Sequence, residues 1–151
     1  MYVKDVSALL TVGNPMKISS SAISINVANP EESAAFAKTH LGFIEDMAAD
    51  GFVSLSRPDA GFNLIFLRTG LGSFKPATHA GNGGDGLLIA FVVDAIDAEY
   101  DRLRGEGVEI ATPIETEPWG ERYFQMLDPN GVVIQLVQWV SDPAEYQAPT
   151  Q

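Results

Sequence analysis

Cysteine is absent from the 151-residue chain. That removes disulfide frameworks, thiolate nucleophiles and cysteine-type zinc or iron–sulfur sites, and leaves the redox compartment open. Histidine is scarce: only His40 and His79 occur. Basic residues are few as well, nine Lys and Arg against twenty Asp and Glu, for a formal net charge of -11. A chain so acidic is a poor partner for nucleic acid or an anionic membrane surface. Its acidity either concentrates a cationic ligand or keeps the protein soluble, and charge alone does not decide between them. Long apolar runs are also missing. The longest, Leu87–Val93, has the length of a strand, far below the roughly 20 residues of a membrane span. Residues 1–15 carry one early Lys and the short apolar stretch Ala8–Val12 without an A-x-A-like cleavage site, so no signal peptide and a cytoplasmic location are expected. No serine stands in a Gly-x-Ser-x-Gly context, and Gly81-Asn82-Gly83-Gly84 lacks the Lys-Ser/Thr ending of a phosphate loop.

What is present is a 46% hydrophobic composition, enough for one domain with a real core or for two small halves sharing one. Ala22–Ala28 alternates apolar with small or polar residues, which predicts a strand packed through Ile23, Ile25 and Val27. Asn29-Pro30-Glu31-Glu32 reads as a helix start, with Asn as N-cap and Pro in the first turn. Ser33, Phe36, Ala37, His40 and Leu41 share one face of that helix, and Gly42 stops it. Strands follow at about 43–48, 52–57 and 62–68, divided by Asp50-Gly51 and Pro58-Asp59-Ala60-Gly61.

A glycine-rich stretch, 69–86, then separates this pattern from a second copy of it. Leu87–Val93 predicts a strand. Asp94 predicts the cap of a helix carrying Ile96, Tyr100 and Leu103, and Gly105-Glu106-Gly107 predicts its end. Val108–Ile114, Arg122–Leu127 and Val132–Trp139 supply three further strands, the last two joined through Asp128-Pro129-Asn130-Gly131. The chain therefore divides into a leading extension (1–20), a first βαβββ module (21–68), a connector (69–86), a second βαβββ module (87–140) and a tail (141–151). The fold class is α+β, with two βαβββ modules pairing into a curved mixed sheet that encloses a cleft.

Phe36 followed by Leu41-Gly42-Phe43, together with Asp128-Pro129-Asn130-Gly131 ahead of Val132–Leu136, resembles the vicinal oxygen chelate superfamily of glyoxalase I, bleomycin-resistance proteins and extradiol dioxygenases, across residues 21–139. Pro118-Trp119-Gly120 with Arg122 and Phe124 is similar to the bleomycin-resistance-like branch. In the metal enzymes of this superfamily, His or Glu ligands stand on the first and last strand of each half. By that resemblance the positions fall here on Ala22, on Leu88, on Ile65 or Phe66 with Asn63 nearby, and on Gln135. Such a set cannot repay the dehydration of a divalent ion. No metal or other cofactor is expected, and neither histidine falls at a ligand position.

The expected ligand-binding residues are Ser24, Asn26, Leu88, Ala90, Trp119, Arg122, Phe124 and Gln135. Ser24, Asn26, Leu88, Ala90 and Gln135 lie opposite the packed positions of their strands, and make a mostly apolar wall with a few amide and hydroxyl groups. Trp119 beside Gly120 offers an indole face to a planar or cationic group, or else fills an interface. Arg122 either pairs with a ligand anion or makes an internal ion pair. Which face of 122–127 meets the cleft is left open by the alternation, and with it the role of Phe124. Glu115, Glu117 and Glu121 are close enough to perturb one another or attract a cation, or are ordinary surface charge. The function expected is binding of a small organic, possibly cationic, drug or metabolite by a homodimer without metal. The alternative is a metal-dependent lyase, isomerase or dioxygenase with atypical ligands.

Overall fold

The computed structural model describes residues 15–71, 78, 81–83 and 85–150. His79, most of the glycine-rich connector and the first fourteen residues lie outside them. The order of elements is β1 (Ala22–Val27), α1 (Pro30–Leu41), β2 (Ile44–Ala49), β3 (Phe52–Ser56), β4 (Asn63–Arg68), then β5 (Leu88–Val92), α2 (Ile96–Gly105), β6 (Glu109–Thr116), β7 (Glu121–Leu127) and β8 (Val133–Trp139). A single 3-10 turn, Pro143–Glu145, follows. This is βαβββ twice over.

Each module closes its own four-stranded sheet, in the order β1-β4-β3-β2 and β5-β8-β7-β6. The strand that opens each module lies parallel to the one that ends it, and the remaining pairs are antiparallel. The chain thus holds two four-stranded mixed sheets, one for each βαβββ module. The helices share one side of the molecule's packing: Ile25, Val27, Leu64 and Phe66 of the first sheet join Phe36 and Leu41 of α1, Ile96 and Leu103 of α2, and Phe124, Met126 and Ile134 of the second sheet in one core. Burying a side chain of this size contributes about 1.5–3 kcal/mol, so a core shared by both modules holds them as one body.

The local signals act where the residues place them. Asn29 Oδ1 accepts the backbone N–H of Glu32, and Gly42 ends α1 at a φ of 71°, in the left-handed region that glycine enters without strain. Asp94 corrects the expectation for the second helix. The N-cap is Ala95, with no side-chain cap bond, and the Ile96 N–H donates instead to Gln138 Oε1 on β8. The helix starts one residue too late for Asp94 to reach its first turn.

The Asp128-Pro129-Asn130-Gly131 turn does more than connect strands. Asp128, 4% exposed, accepts the hydroxyl of Ser33 from α1 and the N–H groups of Asn130 and Val132. Asn130 Nδ2 donates to Ser33 Oγ and to the Asn29 carbonyl, and Asn130 Oδ1 accepts the Asn29 N–H at 3.1 Å. A turn of the second module is therefore tied to the N-terminal turn of the first module's helix.

Candidate functional site

With the helix-side faces of both sheets used up by the core, each sheet keeps one face that neither α1 nor α2 covers. Register shows which residues stand there. In the second sheet Ala90, Gln135, Gln125 and Thr112 form one row across the four strands, and Val92, Val137, Tyr123 and Glu115 form the next. Phe124 and Met126 point the other way and are 0% exposed. In the first sheet the corresponding rows hold Ser24, Ile65, Ser54 and Met47, and Asn26, Leu67 and Phe52.

The expected binding residues divide accordingly. Leu88, Ala90 and Gln135 lie on the open face of the second sheet, Ser24 and Asn26 on that of the first. One chain does not put all five on a single sheet. Phe124 is corrected: it is core, its ring 4.9 Å from that of Tyr100 on α2. Of the two roles left open for Arg122, the structure shows the internal ion pair: it is held by Asp97 of α2 at 2.6 Å and donates to Thr116 Oγ1. The hydrogen bond from Arg122 holds the Asp97 carboxyl below its ordinary value. Trp119 sits in the β6–β7 turn, 37% exposed, with its ring edge-on to Tyr146 at 6.0 Å. Gly120 beside it has a φ of 97°, and a side chain there would run into Ser141.

Residues that composition did not single out carry the polar chemistry of this face. The Thr112 hydroxyl donates to Gln125 Oε1 at 2.9 Å, and Gln125 Nε2 donates to Gln135 Oε1 at 3.0 Å. In the next row Tyr123 Oη lies 2.5 Å from Glu115 Oε1 and 3.0 Å from Glu117 Oε1. A phenol has one proton to give, so two carboxylates share it. Neither carboxylate has an ion pair among the described residues. The hydrogen bond to Glu115, then burial, then the bond to Glu117 push the Tyr123 hydroxyl well above its ordinary value of 10. Trp139 stands opposite Glu121 on the same face, and its buried Nε1 has no partner among the described residues.

Where the metal enzymes of the superfamily that this sequence resembles carry ligands, this chain presents none of the His or Glu donors. Gln135 presents a neutral amide, Ala90 beside it a methyl, and Ala22 and Leu88 offer no donor. Among the described residues no three His, Cys, Asp or Glu side chains cluster closely enough to hold a metal ion. The residues present do not fit the divalent ion of the superfamily's enzymes.

A separate hollow lies elsewhere. A groove of about 880 Å³ runs between the modules along β5, lined in part by Phe43, Phe62, Phe91, Arg57 and Arg102. Its cations are already engaged: Arg57 by Asp59 and the Leu41 carbonyl, Arg102 by Glu99, Glu106 and the His40 carbonyl. His40 is a junction residue, its Nδ1 3.5 Å from Glu106 Oε2 and its ring 4.9 Å from Phe36. Of the two buried side-chain nitrogens without a hydrogen bond among the described residues, His40 Nδ1 borders this groove and Trp139 Nε1 belongs to the second sheet, while the carboxylates without an ion pair beside Tyr123 belong to the second sheet.

Duplicated βαβββ modules with a parallel first-to-last strand pair in each sheet define the vicinal oxygen chelate class of scaffold. A family model described as Glyoxalase/Bleomycin resistance protein/Dioxygenase superfamily matches residues 19–136, and the chain belongs to that superfamily. Among solved structures it is similar to a glyoxalase/bleomycin resistance protein/dioxygenase from Nocardioides, at 25% identity and TM-score 0.69, covering 95% of this chain and 93% of the other. A lactoylglutathione lyase from Agrobacterium tumefaciens, at 14% identity and TM-score 0.64 over 83% of this chain and 96% of that one, shares the fold. An uncharacterized protein of Mycobacterium bovis is 33% identical over 57 residues, 38% of this chain and 38% of its own length. No helix among the described residues is long and apolar enough to cross a membrane.

Proposed function

We propose that this protein binds a small organic cation, a drug or a metabolite, on the open face of the second sheet, through shape, stacking and carboxylate contacts and without a metal. The observation that carries the reading is the pair Glu115 and Glu117, which share the single proton of Tyr123 and meet no cationic side chain among the described residues. A protonated amine brings the charge this arrangement lacks, and Trp139 and Tyr123 bring aromatic surface suited to a cation or a flat ring. The net charge of -11 adds long-range attraction.

The ligand site is completed by a second copy of the chain. Leu88 and Val92 on β5 are 47% and 48% exposed. Because the Val93 N–H is spent on Val137 of β8, ladder alternation turns the backbone groups of Leu88, Ala90 and Val92 outward. An open strand edge flanked by exposed apolar side chains is an association surface. In a homodimer it would bring an opposing wall over the face that one chain leaves open.

Native mass spectrometry of the purified protein, paired with metal analysis, tests this reading. The expected result is a dimer without stoichiometric metal that retains or takes up organic amines. Stoichiometric zinc, nickel, manganese or iron, removed by EDTA together with ligand, would replace it with a metal-dependent lyase, isomerase or dioxygenase.

A further inference from the structure

We infer that Gln135 sets the specificity of this face by donating an N–H to an acceptor oxygen of the ligand, with Thr112 and Gln125 as the positioning residues that turn it that way. The inference rests on the cation-binding reading above and names the kind of cation: an amphipathic amine that also carries a carbonyl-type oxygen.

The argument follows the direction of one hydrogen-bond row. Thr112 gives its proton to Gln125 Oε1, and the other end of the Gln125 amide, its Nε2, faces the next strand. That Nε2 is taken by Gln135 Oε1. With its oxygen accepting inside the row, Gln135 is left with the opposite end of its amide, two N–H donors, and no acceptor for them stands among the described residues. Gln135 is only 7% exposed as a residue, yet its Nε2 is not among the buried atoms left without a partner, so the amide nitrogen reaches the surface of the open face, where a ligand oxygen can meet it. Its neighbour on the side away from Gln125 is Ala90, whose methyl leaves room above the amide. The row therefore ends in a donor pointed at a notch.

A carboxylate at this position accepts only and would call for a metal or an ammonium. The amide in this chain gives instead of taking, so the position asks for a ligand oxygen. The cationic end of the same ligand is placed by Glu115 and Glu117, one row along the strands and two strands across from Gln135. Strand rise and spacing put the two ends on the order of 10 Å apart. Val137, between them in register, supplies apolar surface for the connecting chain.

Two probes of equal length separate the oxygen from the charge: 8-amino-N-phenyloctanamide, and N-phenyl-1,8-octanediamine, in which a methylene replaces the carbonyl. Isothermal titration of the full-length, metal-stripped protein with each gives a preference ratio. The wild type is expected to bind the amide about tenfold more tightly, the equivalent of about one additional hydrogen bond. Gln135→Met and Gln135→Leu should bring the ratio to about one. Thr112→Val should lower the ratio without altering diamine affinity, and Thr112→Ser should restore it, which a purely structural role of Thr112 would not do. Equal binding of both probes by the wild type, or a ratio that survives Gln135→Met, overturns the inference while the cation-binding reading stands. Binding of neither probe overturns both.

Discussion

Two carboxylates around one phenol make Tyr123 the most informative single residue in the molecule. Its hydroxyl is raised above the ordinary phenol value because both neighbours stabilise the protonated form. The sign follows: in the unfolded chain the phenol releases its proton near pH 10, while the folded protein still holds it. This contribution to stability is complete below pH 10 and is lost as the pH climbs through the higher folded value. Phenolate absorbance at 295 nm should show one of the four tyrosines titrating above the others, and Glu115→Gln should bring it back toward the rest. A wild-type titration in which all four coincide would contradict the hydrogen-bond geometry. Gln135→Glu offers a second check. Lacking companion ligands, it should acquire no stoichiometric zinc or manganese after metal loading and desalting. At this scale the sequence was only partly readable. Gln135, Ala90 and Leu88 were identifiable from strand alternation, but Gln125, Thr112 and Tyr123 acquire meaning only from cross-strand register. A period of two does not say which face of 122–127 is inward, which leaves the place of Phe124 open in the sequence, and its packing against Tyr100 in the core decides it.

At the level of elements, punctuation residues were the legible part. Asn29, Gly42, Gly51, Gly107 and the Asp128–Gly131 turn mark boundaries where the chain changes direction, since each supplies a cap or a positive φ that other residues meet only with strain. Strand limits differ by a residue or two, most at β6, which runs on to Thr116 and so takes Glu115 into the ladder beside Tyr123. The tie between the Asp128 turn and α1 was not legible, because its partners, Ser33 and Asn29, lie about a hundred residues away in sequence. It has a measurable cost. Asp128→Ala removes a buried acceptor from three donors at once, and urea unfolding should show a loss of about 3 kcal/mol. Gly120→Ala should displace the segment around Ser141, lowering stability by about 1–3 kcal/mol. It should also shift the emission of Trp119, which packs on Tyr146 of the tail.

Across the whole molecule, two modules spend their helix-side faces on one shared core, and among the described residues two sheet faces and the outer edge of β5 are left open. The duplication was readable from the succession of elements, whereas the strand order within each sheet was not, since pairing partners are a property of the folded chain. Sedimentation equilibrium should give a mass twice the 16.2 kDa of one chain, and Val92→Lys, which puts a solvated charge on the open edge, should return it to the single-chain value. The central claim is that an organic cation is held by Glu115 and Glu117 without metal. Its most direct test is calorimetric titration of EDTA-treated protein with N-phenyl-1,8-octanediamine, repeated on the Glu115→Gln/Glu117→Gln variant. The account requires binding that EDTA leaves unchanged and that falls at least tenfold in the variant; binding that appears only when a divalent metal is restored, or that the double substitution does not weaken, would contradict it.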